Sequence, residues 1–439
     1  MYRTMISLIV ALPLISCSET NQSLDCDADP DHVVCDTENG SICDPVYHRC
    51  MCADSQNGSC PCISHSQCQS LVCAFSNESI SSNPHSRALG TCVPRNQIVY
   101  LNIDPSYQKD PSCANSTSGS QGCPYTDFQS ALASVSAGKP YIQFSGTLAT
   151  KLSIISGNYS YLSSGSGVTL NIIGSHDQYI SDFWEGTGRP ADSVLAQGIE
   201  IVQSSSKDMF NTVFDGIQVY NSVTLTSADD KFSVPSVLFT RSIISDPVKP
   251  PATGPQKRLF DDNFNLVIDK SIISTSAETV FLRKASQSSI KTTITNTVFR
   301  KPTNSTSVTG NLFGDYYEKD SLDFLYNSVL IPSIKTGRCT NQFAGNLFWD
   351  KFVFPDSCLK PANLDYLNGV PVKPQATDLQ ELIEVHGCFR SYLISEGNSL
   401  QINRPIPKEL IAISRNIQWD YCGRQRDTLS DAMGALVIP

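Results

Sequence analysis

Positive charge, histidine and long apolar runs are all scarce in this chain, and each shortage removes a class of function. Against 42 Asp and Glu stand 32 Lys and Arg, a formal net charge of −10. That balance argues against a nucleic-acid partner and against direct electrostatic binding to anionic lipid. After the first residues no apolar stretch approaches membrane-spanning length. Of the six histidines, His32, His48, His65 and His85 are irregularly spaced among cysteines, and only His176 and His386 come later. Irregular spacing reads as surface histidine rather than a metal site. The sequence SSGSGV (Ser163 to Val168) is a Ser/Gly loop, so no strand-to-helix G-x-S-x-G elbow for a serine nucleophile is present.

Cysteine, by contrast, is abundant, and the first of the 17 differs in kind from the rest. Arg3, the apolar run from Ile6 to Ile15 and the small Ser16 have the layout of a secretory signal over residues 1–16. Leu14-Ile15-Ser16-Cys17 resembles the bacterial lipoprotein box. The resemblance implies cleavage before Cys17 and lipidation there, with the membrane as a partner through that anchor. Ser18, where an inner-membrane retention signal would have Asp, implies the outer membrane, facing either periplasm or exterior. Without Cys17, ten cysteines fall in the first hundred residues and six beyond, both even numbers, as disulfide pairing in an oxidising compartment requires.

Residues 17–25 are polar and read as a tether. From 26 to 95 the chain has too few large apolar residues for an ordinary core, so disulfides must substitute for it. ICDPVYHRCMC (42–52) resembles part of an EGF-like repeat, and SHSQCQSLVC with GTCVP resembles the cysteine-rich repeats of bacterial secreted proteins. Composition changes at Asn96. QIVYLNID reads as a strand. Phe128, Leu132 and Val135 recur at helical spacing behind a Thr126 cap, with Gly138 ending the run before a further strand. Six short segments then follow in which an apolar pair succeeds a small or polar residue. Ile217, Ile243, Ile272, Val298, Val329 and Leu347 are their equivalents, at intervals of roughly 20 to 30 residues that suit solenoid coils. The expected fold over 96–439 is all-β, a right-handed parallel β-helix after a small disulfide-rich module. An antiparallel sandwich is the alternative.

The carboxy-terminal WDYCGRQRDTLSDAMGAL carries a closer resemblance. Asp420, Gly423, Arg426, Asp431, Gly434 and Ala435 follow the D-x-x-G-x-x-R … D-x-GA pattern that closes many bacterial secreted β-helix proteins of the pectin-lyase-like kind, with Met433 and Leu436 departing from it. The resemblance implies a structural role for the motif. Pairing neighbours gives Cys113–Cys123 and Cys339–Cys358 and leaves Cys388 with Cys422, bracing the two ends of the solenoid.

A fold does not supply a function. Enzymes of that kind converge carboxylates on a groove, with calcium as cofactor in the lyases. Here Asp229-Asp230 and Asp261-Asp262, with Arg241, Lys270, Arg300 and Lys301 on neighbouring repeats, are the nearest approach, and the two pairs read as solvated loop charges. The Asn-Thr-Asp, Gly-His-Gly and Arg-Ile-Lys elements of polygalacturonase-like hydrolases do not occur. Catalytic residues are therefore unknown at this level, and no cofactor or metal is expected outside the lyase reading. The preferred expectation is a non-enzymatic surface or periplasmic lipoprotein that contacts polysaccharide or another cell. Tyr316, Tyr317 and Trp184 are candidates to stack on sugar rings. A polysaccharide lyase or glycoside hydrolase is the alternative.

Overall fold

Short strands, nearly all of whose residues are buried, each too small to make a core alone, stack in parallel around a common core. The computed structural model describes residues 41–44, 49–52, 61–62, 68, 70 and 72–74. From 90 to 348 it describes the chain apart from 106, 108–110, 114–118, 166, 175–192, 228–233, 247–257, 284–288, 301–309, 315–319, 326, 330, 332–341 and 345. The architecture is a parallel β-helix. Each full coil contributes one strand to each of three sheets. One coil, for example, runs through Phe210–Asp215, Gln218–Tyr220 and Val223–Thr226, and a later one through Asn265–Asp269, Ile272–Ser274 and Thr279–Arg283.

Register fixes which side chains reach the interior. In the first sheet Ile142, Ile172, Phe214, Phe239, Ile268, Ile294 and Phe324 lie in one inward column, and all are fully buried. The third sheet stacks Val223, Phe260, Phe281 and Phe313 in the same way. In the second sheet the inward column is Leu195, Val219, Ile244, Ile273, Phe299 and Val329. The equivalence read from sequence is correct for Ile243, Ile272, Val298 and Leu347 but slips by one at Ile217 and Val329. Gln218 and Ser328 occupy those register positions. The slip has a simple cause: the strands there, Gln218–Tyr220 and Ser328–Val329, are only three and two residues long, too short for in–out alternation to fix the register.

At the corner between the first and second sheets, the residue after four of the first-sheet strands is left-handed: Gly216 (φ 65°), Arg241 (48°), Lys270 (47°) and Asn296 (48°). The next residues form a buried polar ladder up the corner. Ser242, Ser271 and Thr297 donate their hydroxyls to the carbonyls of Thr240, Asp269 and Thr295. The Asn327 and Asn346 side-chain carbonyls accept the backbone N–H groups of Thr297 and Asn327. A left-handed L-residue costs roughly 1–2 kcal/mol, a cost glycine escapes. Lys270→Gly is therefore expected to exceed Lys270→Ala in stability by about 1 kcal/mol, measured as the difference between their urea unfolding free energies. Equal stabilities would show that the corner relaxes out of the left-handed region.

The amino-terminal end is closed by local structure. The strand Ile98–Asn102 pairs in parallel with Tyr141–Leu148, and its other edge is covered by residues 119–125. Tyr100 and Asn102 donate their backbone N–H groups to Gly119 and Tyr125, and Tyr125 donates back to Tyr100. Gly119 is required here: a Cβ would stand 2.4 Å from the Tyr125 ring. The helix Phe128–Ala133 lies over this end with Phe128, Ala131 and Leu132 buried. Its cap is Asp127, which accepts from the Ser130 N–H at 2.7 Å, one residue beyond the expected Thr126. The helix ends at Ser134, well before Gly138, because the Ser134 hydroxyl takes the Ala131 carbonyl at 2.8 Å and the chain then turns between Ser136 and Lys139.

The bridges Cys68–Cys92 and the expected Cys113–Cys123 stand before or at this end. Val72, from the cysteine-rich region, packs with Val93 against Ile98, Tyr100 and Ile173 on the outer face of the first sheet. The Val93 N–H donates to the Val72 carbonyl, and the Tyr100 hydroxyl reaches the Ser70 carbonyl at 3.4 Å.

Candidate functional site

Of the charged residues that suggested an enzyme, Asp229, Asp230 and Lys301 lie outside the described residues, and Arg241, Asp261 and Asp262 are used by the framework. Asp261 and Asp262 lie in the strand Arg258–Asp262 of the third sheet, and both are buried. They are not the solvated loop charges the flanking sequence implies. Asp261 is bridged by Arg258 at 3.0 Å. Asp262, two residues after the inward Phe260, stands in register with the buried Arg283. Arg241 is closed onto Asp215 by two hydrogen bonds from its guanidinium, with both side chains buried. It occupies the corner after the first sheet, whereas Asp261 and Asp262 end the third, so these groups do not converge on one groove. Asp269 accepts from the Thr295 hydroxyl at 2.7 Å and the Asn296 amide at 3.2 Å. Among the described residues no group of three or more His, Cys, Asp or Glu side chains could hold a metal ion.

A different set of residues builds a groove of about 590 Å³ at the amino-terminal end, lined by Arg95, Asn96, Ile98, Tyr100, Ser120, Gln121, Gly122 and Lys139. Strand register explains why these distant residues meet. Ile98 and Tyr141 are opposite each other in adjacent parallel strands. Arg95, in the short turn Arg95–Gln97 before one strand, and Lys139, in the turn before the other, therefore leave the sheet at the same end. Ile98 and Tyr100 alternate with the core residues Val99 and Leu101, so they face outward and form the floor. Ser120, Gln121 and Gly122 are exposed and form a wall pinned by the Cys113–Cys123 bridge and by the pairing of Gly119 and Tyr125 with Tyr100. Among the described residues the lining carries two cations and no carboxylate, in a chain whose net charge is −10. Next to the groove, burial raises the Tyr141 hydroxyl pKa, with the Tyr161 hydroxyl adding to the effect. It stays a neutral phenol at physiological pH.

Of the residues expected to matter, Cys113 and Cys123 are joined. Cys17, Cys339, Cys358, Cys388, Cys422, Tyr316, Tyr317 and Trp184, like the carboxy-terminal motif from Asp420, lie outside the described residues. Sequence reasoning missed Arg95 and Lys139. The available signal was that each stands two or three residues before a β-rich segment, IVYLN and YIQFSG, which parallel pairing brings side by side. No family of known proteins, no curated protein and no solved structure matches the chain.

Proposed function

We propose that this is an exported, lipid-anchored protein, held at the outer membrane through Cys17, with an EGF-like cysteine-rich module and a pectin-lyase-like solenoid that binds polysaccharide without cleaving it. The observation that carries the reading is the division of polar groups. Asp215, Arg241, Asp262, Arg283 and Asp320 are spent inside the framework, while the groove at the amino-terminal end turns cationic and amide side chains toward solvent. Such a surface holds a polyhydroxylated ligand by hydrogen bonds and steers it by charge. The bacterial lipoprotein box at Leu14 to Cys17 supports the location.

Immobilised acidic and neutral polysaccharides, presented to the full chain with and without calcium, test the proposal. Retention on at least one glycan is expected, with mass-resolved chromatography of the soluble glycans finding no new fragments. Fragments would make the protein a lyase or hydrolase, the mass of their ends telling which. Failure to retain the chain on any glycan would remove the binding role.

A further inference from the structure

We propose that residues 119–125 are a strap latched by the Cys113–Cys123 bridge, and that opening the bridge uncovers the edge of the strand Ile98–Asn102 for pairing with the same strand of a second copy of the chain. The strap is held on that edge by three backbone hydrogen bonds. Tyr100 N–H donates to Gly119 at 2.7 Å, Asn102 N–H to Tyr125 at 2.8 Å, and Tyr125 N–H to Tyr100 at 2.9 Å. Within the strap only Gly119 and Pro124 are buried, and Ser120, Gln121 and Gly122 are exposed. Apolar burial therefore adds little to those bonds, and each bond is weak in net terms because water takes its place when the strap leaves. The bridge acts on the open state instead. It closes a sequence separation of 10, and on the chain-entropy account a loop of that size favours closure by about a hundredfold. The latch thus decides whether the strap stays.

The edge beneath has the character of a pairing template. Ile98-Val99-Tyr100-Leu101-Asn102 carries no charge and no proline, the two devices that ordinarily blunt an edge strand. With the strap gone, the N–H groups of Tyr100 and Asn102 and the Tyr100 carbonyl point outward at alternate positions, as a neighbouring strand requires. Two copies related by a two-fold axis satisfy both edges at once. The opening step is thiol–disulfide exchange with a dithiol. Cys113 is fully buried and Cys123 only half-buried, so a thiolate of the dithiol attacks the Cys123 Sγ. The S–S bond breaks, and Cys113 leaves as a thiolate and takes up a proton. The second thiol then attacks the mixed disulfide, freeing Cys123 as a thiol and closing the dithiol into its own disulfide.

The test follows amide hydrogen exchange and sedimentation of the full chain. In C113S/C123S the Tyr100, Asn102 and Tyr125 amides should exchange about a hundredfold faster than in the parent, the factor that loop closure supplies. The Phe239 and Ile268 amides, in strands paired on both sides, should stay within about twofold. A dimer should appear, its fraction rising with protein concentration. Adding N102P, which removes an outward donor from the edge, should return that variant to monomer. The parent under rising dithiothreitol, with alkylation mapping the opened bridge, should dimerise where Cys113–Cys123 opens. Far-UV circular dichroism confirms that each variant is folded. Should C113S/C123S fail that check, G119A takes its place, since a Cβ at that position would stand 2.4 Å from the Tyr125 ring and displaces the strap with both cysteines intact. Unchanged exchange at the three amides overturns the latch. Equal acceleration at Phe239 and Ile268 would make the bridge a staple of the whole fold and overturns it as well. Fast exchange without a dimer, or a dimer that survives N102P, overturns the pairing edge. Dimerisation that tracks the opening of Cys68–Cys92 instead overturns the redox step.

Discussion

Phe281→Ala is expected to destabilise the solenoid by about 3–5 kcal/mol, the range for truncating a fully buried Phe that leaves a cavity. Phe281 is 0% exposed and is the junction of the aromatic stack in the third sheet. Its ring lies 4.8 Å from that of Phe260 and 5.3 Å from that of Phe313, both stacked, and 6.2 Å edge-on from Phe299. The cavity would span three coils, and the strands around it cannot close in because their parallel register holds the spacing between coils. In a solenoid the coupling between neighbouring units is what makes unfolding cooperative. Loss of this junction should therefore split one unfolding transition into two, with amide protection falling first in the coils carrying Phe260, Phe281 and Phe313. Urea unfolding followed by circular dichroism, with hydrogen exchange resolved along the chain, reads both effects. Leu282→Ala is the control, since Leu282 is only partly buried and alternates outward; it should cost no more than about 1 kcal/mol. Equal losses at 281 and 282 would mean that the aromatic stack does not couple the coils.

The fold was legible because a solenoid repeats its instructions. Each coil had to present β-branched or aromatic residues inward and polar residues at the corners, and the segments from Ile217 to Leu347 did so often enough to reveal the period. The phase of the repeat was less legible, as the slips at Ile217 and Val329 show, because strands of three and two residues, Gln218–Tyr220 and Ser328–Val329, leave too few positions for alternation to be read. Buried charge was not legible at all. Asp262 and Arg241 look like solvated residues in a linear reading, since Arg283, which stands in register with Asp262, and Asp215, which Arg241 binds, are 20 or more residues away in sequence and meet them only through stacking. The groove failed for the same reason. Arg95 and Lys139 are ordinary isolated cations until Ile98 is set opposite Tyr141, and composition carries no information about which strands become neighbours. Cys113 and Cys123 were readable because their pairing is local.

The same logic of distant partners brought together by stacking makes the Arg283–Asp320 pair the second large expectation. Both side chains are fully buried, with Arg283 Nε 3.0 Å from the Asp320 carboxylate. Arg283 also donates Nη1 to the Asn263 side chain, and Asp320 accepts the Ile290 N–H at 3.2 Å. The pair thus ties the end of a third-sheet strand to the entry of the next first-sheet strand, Lys291–Thr295, and to the turn one coil earlier. Asp320→Ala should cost about 3–5 kcal/mol, because it leaves a guanidinium in a site from which water is excluded and the Ile290 N–H without its acceptor. Arg283→Met should cost more than Asp320→Ala, since it strands the Asp320 carboxylate, abandons Asn263 and removes the cation in register with Asp262. The double variant Arg283→Met/Asp320→Ala should be less destabilised than the two single losses summed, with a coupling energy of about 0.5–3 kcal/mol, because neither member is then left charged against an absent partner. Thermal and urea unfolding of the four proteins measure that cycle. Strict additivity would mean that the two groups act independently, and the corner would then be held by the backbone stacking of Asn263 and Ile290 rather than by the ion pair.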